Sequence, residues 1–540
     1  MKNALVFAGI ALLAISGLVV AETSVPETPD ARVGGTLTVG ISESFAHLDA
    51  FNSHTMYDNQ VVEQIYDRLW ELNPDTLKAE PFIAKAWDVS DDGSEVTFYL
   101  NEGIKFHNGE DLTAEDVAFS LNRLADTSNG YSKTAEISWM QEAVVVDEYT
   151  CKLVLKPEYT PYCPMFSRAG ITLIVPKDTF LEVGEEAFNR NPVGSGPYKF
   201  VEWAEGSHIT LERNEDYWLV YPNLDRIVFR NIPETSVMML ELESGGIDIS
   251  DTVTAQDLDR LDAMDHIDVQ RKPGLTIFYL GFNMSHEPSS DIRFRKAVYM
   301  STDFDGAVFS ILRGVTGVRA YGGVPAASWG NDVDYLRDNI ALQEDDAEAQ
   351  RLFDELKAEG VIPEGFKTTI YCPTDPRRTQ LATIVATNLK ELGINAEVQP
   401  LDFGTLTDII IREGDDDPEG SDFEMYLYGL GGEPDPNSFL YQMLSCETLA
   451  TLGANNYSCY CNPVASDLLN KAANVPGCDQ DVREALYVEA QRMIYADYPH
   501  IPAYHYLSIQ GVSTRVGGYE LSSTAQMTFC SPHRNVWVEE

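Results

Sequence analysis

The chain has 540 residues, enough for two or three domains with sizeable cores, and its 44% apolar fraction is ordinary for a globular protein. The formal net charge of −47 is not ordinary; such a surface repels nucleic acid and anionic lipid headgroups and argues against both as partners. Lysine (15) is scarcer than arginine (23), and an acidic, lysine-poor surface stays soluble where salt screens long-range repulsion, so the composition reads either as adaptation to saline surroundings or as a plain solvated surface.

Lys2 precedes the apolar or small run Ala4 to Val20, and Val19-Val20-Ala21 sets small residues before a cleavage point at Glu22. This reads as a signal peptide over residues 1–21. The run barely reaches spanning length, Gly9, Ser16 and Gly17 weaken it, and no Cys near Glu22 offers a lipid anchor. Thr36 to Ile41 reads as a first strand. Asp58 to Leu69 has helical spacing, with Val61, Ile65 and Leu69 on one face. Glu95 to Leu100 is rich in β-branched and aromatic residues and predicts a strand. His107-Asn108-Gly109 reads as a turn. Thr113-x-x-Asp116 is a capping box opening a helix to Leu124. Val193-Gly194-Ser195-Gly196-Pro197 looks like a phosphate loop, but it lacks the Gly-Lys-Ser/Thr ending and Pro197 removes a donor; it predicts a tight turn before a strand from Tyr198 to Glu202.

The second half alternates strands and helices: strand Leu275 to Asn283, a helix capped by Asp291, helix Ala347 to Gly360, strand Thr368 to Tyr371, helix Thr379 to Leu392, strand Ala396 to Leu401. That rhythm predicts an α/β chain with a partly parallel sheet. Phe423 to Tyr428 reads as a further strand, Asp481 to Tyr495 as a long helix and Ile501 to Val512 as strand. The acidic run Gly414-Asp-Asp-Asp-Pro418 lacks the ligand spacing of an EF-hand and reads as an exposed loop. The eight cysteines suit an oxidising compartment. Eight allow 105 pairings, so spacing leaves the connectivity open. Cys151 and Cys163 flank a strand and turn and can pair locally. Zinc at the 446–461 cluster is disfavoured, because Cys459-x-Cys461 is too close and no His is near.

Four segments in order resemble the peptide/nickel/oligosaccharide-binding family of ABC importers. They are Gly34-Gly-Thr-Leu-Thr-Val-Gly-Ile, the stretch from Trp87 to Ser120, Asn191-Pro-Val-Gly-Ser-Gly-Pro-Tyr, and Leu211-Glu-Arg-Asn-Glu-Asp-Tyr-Trp. The resemblance covers nearly all of the chain after the signal peptide. It implies a two-lobe periplasmic-binding-protein fold with an additional domain inserted in the first lobe. Lobe I would comprise 22–76, 178–272 and 509–540, the inserted domain 77–177 and lobe II 273–508, with hinge crossings near Arg271 to Gly274 and Tyr506 to Val512. It also implies an exported, periplasmic, monomeric binder without catalytic residues, metal or cofactor. Such a binder takes a peptide or related small polar solute and partners an ABC permease with its ATPase subunits. The rival class is a secreted hydrolase acting on a peptide or glycan in the same cleft, but neither a G-x-S-x-G elbow nor H-E-x-x-H is present.

The resemblance extends to the cysteines and the ligand. Cys446 to Cys461 matches a segment that carries a disulfide in dipeptide-binding proteins, which implies a Cys446–Cys461 pair. In those relatives an Arg before a Pro takes the peptide carboxylate and an Asp in a W-x-G-D segment takes the amino group. With Pro436, Phe439 and Cys446 in register, Cys372 stands for the Arg, Gly429 for the Trp and Gly432 for the Asp. Both charged clamps of a dipeptide are therefore missing, and burying unpaired ligand charges costs several kcal/mol. Glu433 and Arg377 are the nearest replacements. The glycines at 429, 431 and 432 imply room for a larger or backbone-held ligand. Ser53, His54 and Tyr57, in the loop after the first strand, complete the candidate set with Thr374, Leu430 and Gly431.

Overall fold

The computed structural model describes residues 33–53, 55–157, 162–410, 423–449 and 455–539. The signal segment, His54 and the acidic run 414–418 lie outside them. Among the described residues no helix is long and apolar enough to cross a membrane.

One twelve-stranded mixed sheet runs through the molecule. Its first half is built on Thr36–Ile41, parallel to Arg226–Asn231 and Ile249–Ser250, with His208–Arg213 and Tyr198–Ala204 completing a meander. Its second half sets Lys367–Pro373 parallel to Asn395–Leu401 and Met425–Gly431, with Thr276–Phe282 beside the last. The fourteen-residue strand His500–Ser513 belongs to both halves. Its early residues pair with Thr276–Phe282, and Leu507 to Ser513 pair with Ile267–Pro273. A separate antiparallel sheet, Ala84–Val89, Glu95–Leu100, Thr150–Leu155 and Met140–Asp147, lies wholly between residues 84 and 155.

Burial follows this division. Leu37, Trp70, Phe98 and Phe229 share one core made from the first half and the separate sheet. Leu280, Phe294 and Leu389 form a second, Tyr279, Tyr426 and Tyr487 a third, both within 277–504. A small fourth core around Met238, Leu242 and Ile509 backs the shared strand. The molecule is two bodies joined by the strands that cross near Pro273 and Leu507.

Most predicted elements form where local chemistry places them. Thr113 caps the helix Ala114–Ala125, and Asp116 returns the bond to the Thr113 backbone N–H. Asp291 accepts from Arg293 N at 2.8 Å and opens Ile292–Met300. Gly360, at φ +82°, ends Asp346–Glu359. The helix predicted over 58–69 is Met56–Ile65 instead: Tyr66 is extended, and Leu69 is buried from the following segment, not from the helix face. The 193–197 segment is a turn because the chain passes against the end of that helix. A Cβ on Gly194 would stand 2.0 Å from the Ile65 carbonyl oxygen, and one on Gly196 2.7 Å from it. His107 joins the same corner, its Nε2 2.9 Å from Gly196 O, and burial pushes its pKa down to about 4.

Candidate functional site

A cavity of about 570 Å³ lies where the two bodies face each other beside the crossing strands. Gly274 to Thr276 and Tyr506 to Ser508 form its hinge side. One wall comes from the end of Met56–Ile65 and the chain after it: Glu63, Asp67, Arg68 and Glu71. Lys133, Glu136 and Arg168, from near the separate sheet, extend that wall, and Gly431, Gly432, Glu433 and Pro434 face it from the second body. These last residues end the strand Met425–Gly431, where the chain leaves the sheet toward the helix Asn437–Leu444.

The cavity is densely charged. Arg68 pairs with Glu63 at 3.2 Å, and Arg168 with Glu136 at 3.6 Å. Asp67 accepts from Trp218 Nε1 at 2.8 Å and Tyr217 OH at 3.1 Å, yet burial still raises it to about 6. Burial raises Glu71 to about 8 against the opposing charge of Arg68. Lys133, donating to Ser53 Oγ at 3.1 Å, is lowered by burial to about 8. Glu433 is raised by burial, with Arg168 pulling the other way. Five carboxylates and three cations line the space, so an amine or guanidinium group finds acceptors there and a ligand carboxylate finds Arg68, Arg168 or Lys133. Among the described residues, one group brings metal-type donors within 4.8 Å of one another: Glu71, Glu80 and His533. Two of its groups are already engaged by the His533–Glu80 hydrogen bond at 2.7 Å, and burial favours the protonated form of the third, Glu71.

The structure brings together only part of the candidate set. Gly431, Gly432 and Glu433 line the cavity. Ser53 is buried behind the wall, holding Lys133. Tyr57 packs against the first core. Cys372 is fully buried in the second core, its Sγ 3.9 Å from Thr379 Oγ1, and burial raises its thiol. Thr374 faces a shallow outer groove with Pro376 and Thr379. Arg377 lies 4.4 Å over the ring of Tyr506, one residue removed from the cavity. Leu430 pairs with Ile277 and packs toward the third core.

Two of the three glycines do not make room for a ligand. A Cβ on Gly429 would come within 2.5 Å of the Phe278 ring, and one on Gly432 within 3.0 Å of Phe439 and Ser438. Close protein packing requires glycine at 429 and is tight at 432; Gly431 is open. The charged wall escaped the sequence reading because 85 acidic residues hide any local carboxylate pattern. Its one signal is the charge density of Glu63, Asp67, Arg68 and Glu71 directly after an amphipathic helix.

Cys446 is bonded to Cys461, the pair the family resemblance implied. The local Cys151–Cys163 alternative does not form: Cys163 is bonded to Cys478 and Cys151 is a free, buried thiol.

The chain is 26% identical over 514 residues to the dipeptide-binding protein of Escherichia coli (strain K12), covering 91% of each chain. Its fold matches the structure of HbpA2 from Haemophilus parasuis with a TM-score of 0.83 at 23% identity, over 94% of this chain and 100% of that one. It also matches the periplasmic binding protein DppA from Helicobacter pylori, solved with the peptide STSA, with a TM-score of 0.67 at 27% identity, over 94% and 99%. The family model for bacterial extracellular solute-binding proteins, family 5, matches residues 78–450. With a charged cavity between two lobes of mixed α/β sheet, the chain belongs to that family and is the solute-binding component of an ABC importer.

Proposed function

We propose that the protein captures a peptide or related small polar solute bearing an amine in the inter-lobe cavity and hands it to a membrane permease with its ATPase subunits. The observation that carries this reading is Glu433, a mostly buried carboxylate at the cavity wall, opposite Arg68 and Arg168 on the other lobe. Glu433 takes the ligand amine and the arginines take its anionic end. Two of these relatives are a dipeptide-binding protein and a protein solved with a bound peptide, and the family is one of solute-binding proteins, which disfavours a secreted hydrolase. Residues 1–21 act as an export signal, and the protein works in the periplasm. Lobe I spans 22–76, 178–272 and 509–540, the inserted domain 77–177 and lobe II 273–508. The separate sheet within 84–155 and the crossings near Pro273 and Leu507 support this division.

Simple dipeptides bind weakly, because Gly432 and Cys372 supply no charge at the positions where the resemblance places the dipeptide clamps, and Arg68 and Arg168 are already paired with Glu63 and Glu136. Native mass spectrometry of the purified protein identifies retained solute. Calorimetry with a dipeptide panel on wild type and Glu433→Gln then tests the assignment. Tight dipeptide binding that the substitution leaves intact, or turnover of a bound peptide, overturns it.

A further inference from the structure

The two lobes are joined by a covalent bond away from the hinge. Cys163 opens the turn Cys163–Ser167, whose Met165 and Phe166 belong to the first-lobe core with Trp70 and Phe98. Cys478 lies between the helices Pro463–Ala473 and Gln480–Ala496, whose Leu469 and Tyr487 belong to a second-lobe core. The disulfide between them links residues 315 apart in sequence and holds their Cα atoms 5.3 Å apart.

The surroundings are built for this contact. Cys478 sits at φ +54° directly after Gly477 at φ +72°. A non-glycine residue in that left-handed region is sterically disfavoured, and here the turn carries the side chain onto the first-lobe core. Strand Ala84–Val89 packs against Pro476–Cys478. Lys78 of the first lobe reaches Asp481 at 3.5 Å and Glu484 at 3.2 Å, in the first turns of the helix that follows Cys478. The cavity lies between the two attachments: Gly274 and Tyr506 bound it on the hinge side, Leu77 and Ser167 on the side of the bond.

We propose that Cys163–Cys478 is an inter-lobe tether that limits how far the solute cleft opens. A disulfide keeps its Cα atoms within about 4.4–6.8 Å. Lobes fixed at the hinge strands and again at the tether cannot part like a jaw. The remaining motion is a rotation about the line joining the two attachments, and solute enters through the open flanks of the cleft.

Small-angle scattering of the solute-free protein tests this. Cys163→Ser/Cys478→Ser is expected to shift to a larger radius of gyration than wild type. Cys446→Ser/Cys461→Ser, which removes a bond confined to one lobe, is expected to match wild type. Should the first variant fail to fold, phosphine reduction of the folded Cys446→Ser/Cys461→Ser protein breaks the tether as its one disulfide among the described pairs and gives the same readout. An unchanged radius after loss of the tether, or a non-reducing peptide map in which Cys163 and Cys478 are not joined, overturns the proposal. No solute is added, so the result is independent of which solute the protein carries.

Discussion

Glu433 and Glu71 both pay a desolvation cost at the cavity wall, and each carries a test. If Glu433 holds a ligand ammonium, removing its charge leaves that group buried and unpaired. Breaking such a pair costs about 3–5 kcal/mol, two decades or more in affinity. Calorimetry on Glu433→Gln with the retained solute reads that loss directly. Glu71 is tested by pH. Burial raises its folded pKa from 4.5 to about 8, so between those values the folded state holds a proton that the unfolded state has released. The sign follows: this group's contribution is fully present below about pH 4.5 and is lost as pH rises toward 8. Glu71→Gln removes the dependence. Its stability in urea denaturation is expected to match wild type near pH 4.5 and to exceed it near pH 8 by about 4 kcal/mol. A difference constant with pH would show that Arg68 and His533 keep Glu71 ionised throughout.

At the scale of elements, glycine geometry decides more than glycine content suggests. The turn at 193–197 is legible in sequence as a turn, but its reason is not. Gly194 lies against the backbone carbonyl of Ile65, which cannot swing aside as a side chain can. Gly194→Ala is expected to cost about 1–3 kcal/mol through overpacking, read as a lower urea midpoint with an unchanged slope. The capped helices at 114 and 292 were recoverable because a cap is a bond between neighbours in sequence. The overextended first helix was not recoverable in the same way. Leu69 continues the apolar spacing past Ile65, yet it is buried from an extended segment whose backbone bonds reach Thr172. Periodicity reports which residues are buried, not which element buries them.

At the scale of the whole molecule, two disulfides play different parts. Cys446–Cys461 closes a loop of 15 residues within the second lobe, for which the chain-entropy relation gives about 3 kcal/mol. Removing it is expected to lower the stability of that lobe by about this amount in urea denaturation, while the scattering profile of the folded protein stays unchanged. Cys163–Cys478, in contrast, constrains the folded state, since it links the two bodies whose relative motion the hinge strands permit.

The sequence by itself determined the α/β class, the order of the elements, the family and the segment Gly431 to Glu433, because these rest on local periodicity, caps and ordered motifs. Only the tertiary structure decided the rest of the site. Arg68, Lys133 and Arg168 are distant in sequence and meet because the segments Ser132–Ile137 and 163–171 pack beside the first helix and the strand that follows it, Lys133 bonding Ser53 and Asn59 there. Cys372, which takes the place of a charged clamp in the register of the relatives, belongs to a core once its strand is paired on both sides. Cys163 meets Cys478 across 315 residues for the same reason: which distant groups become neighbours depends on how the whole chain buries its apolar surface, and spacing along the chain carries no measure of that distance.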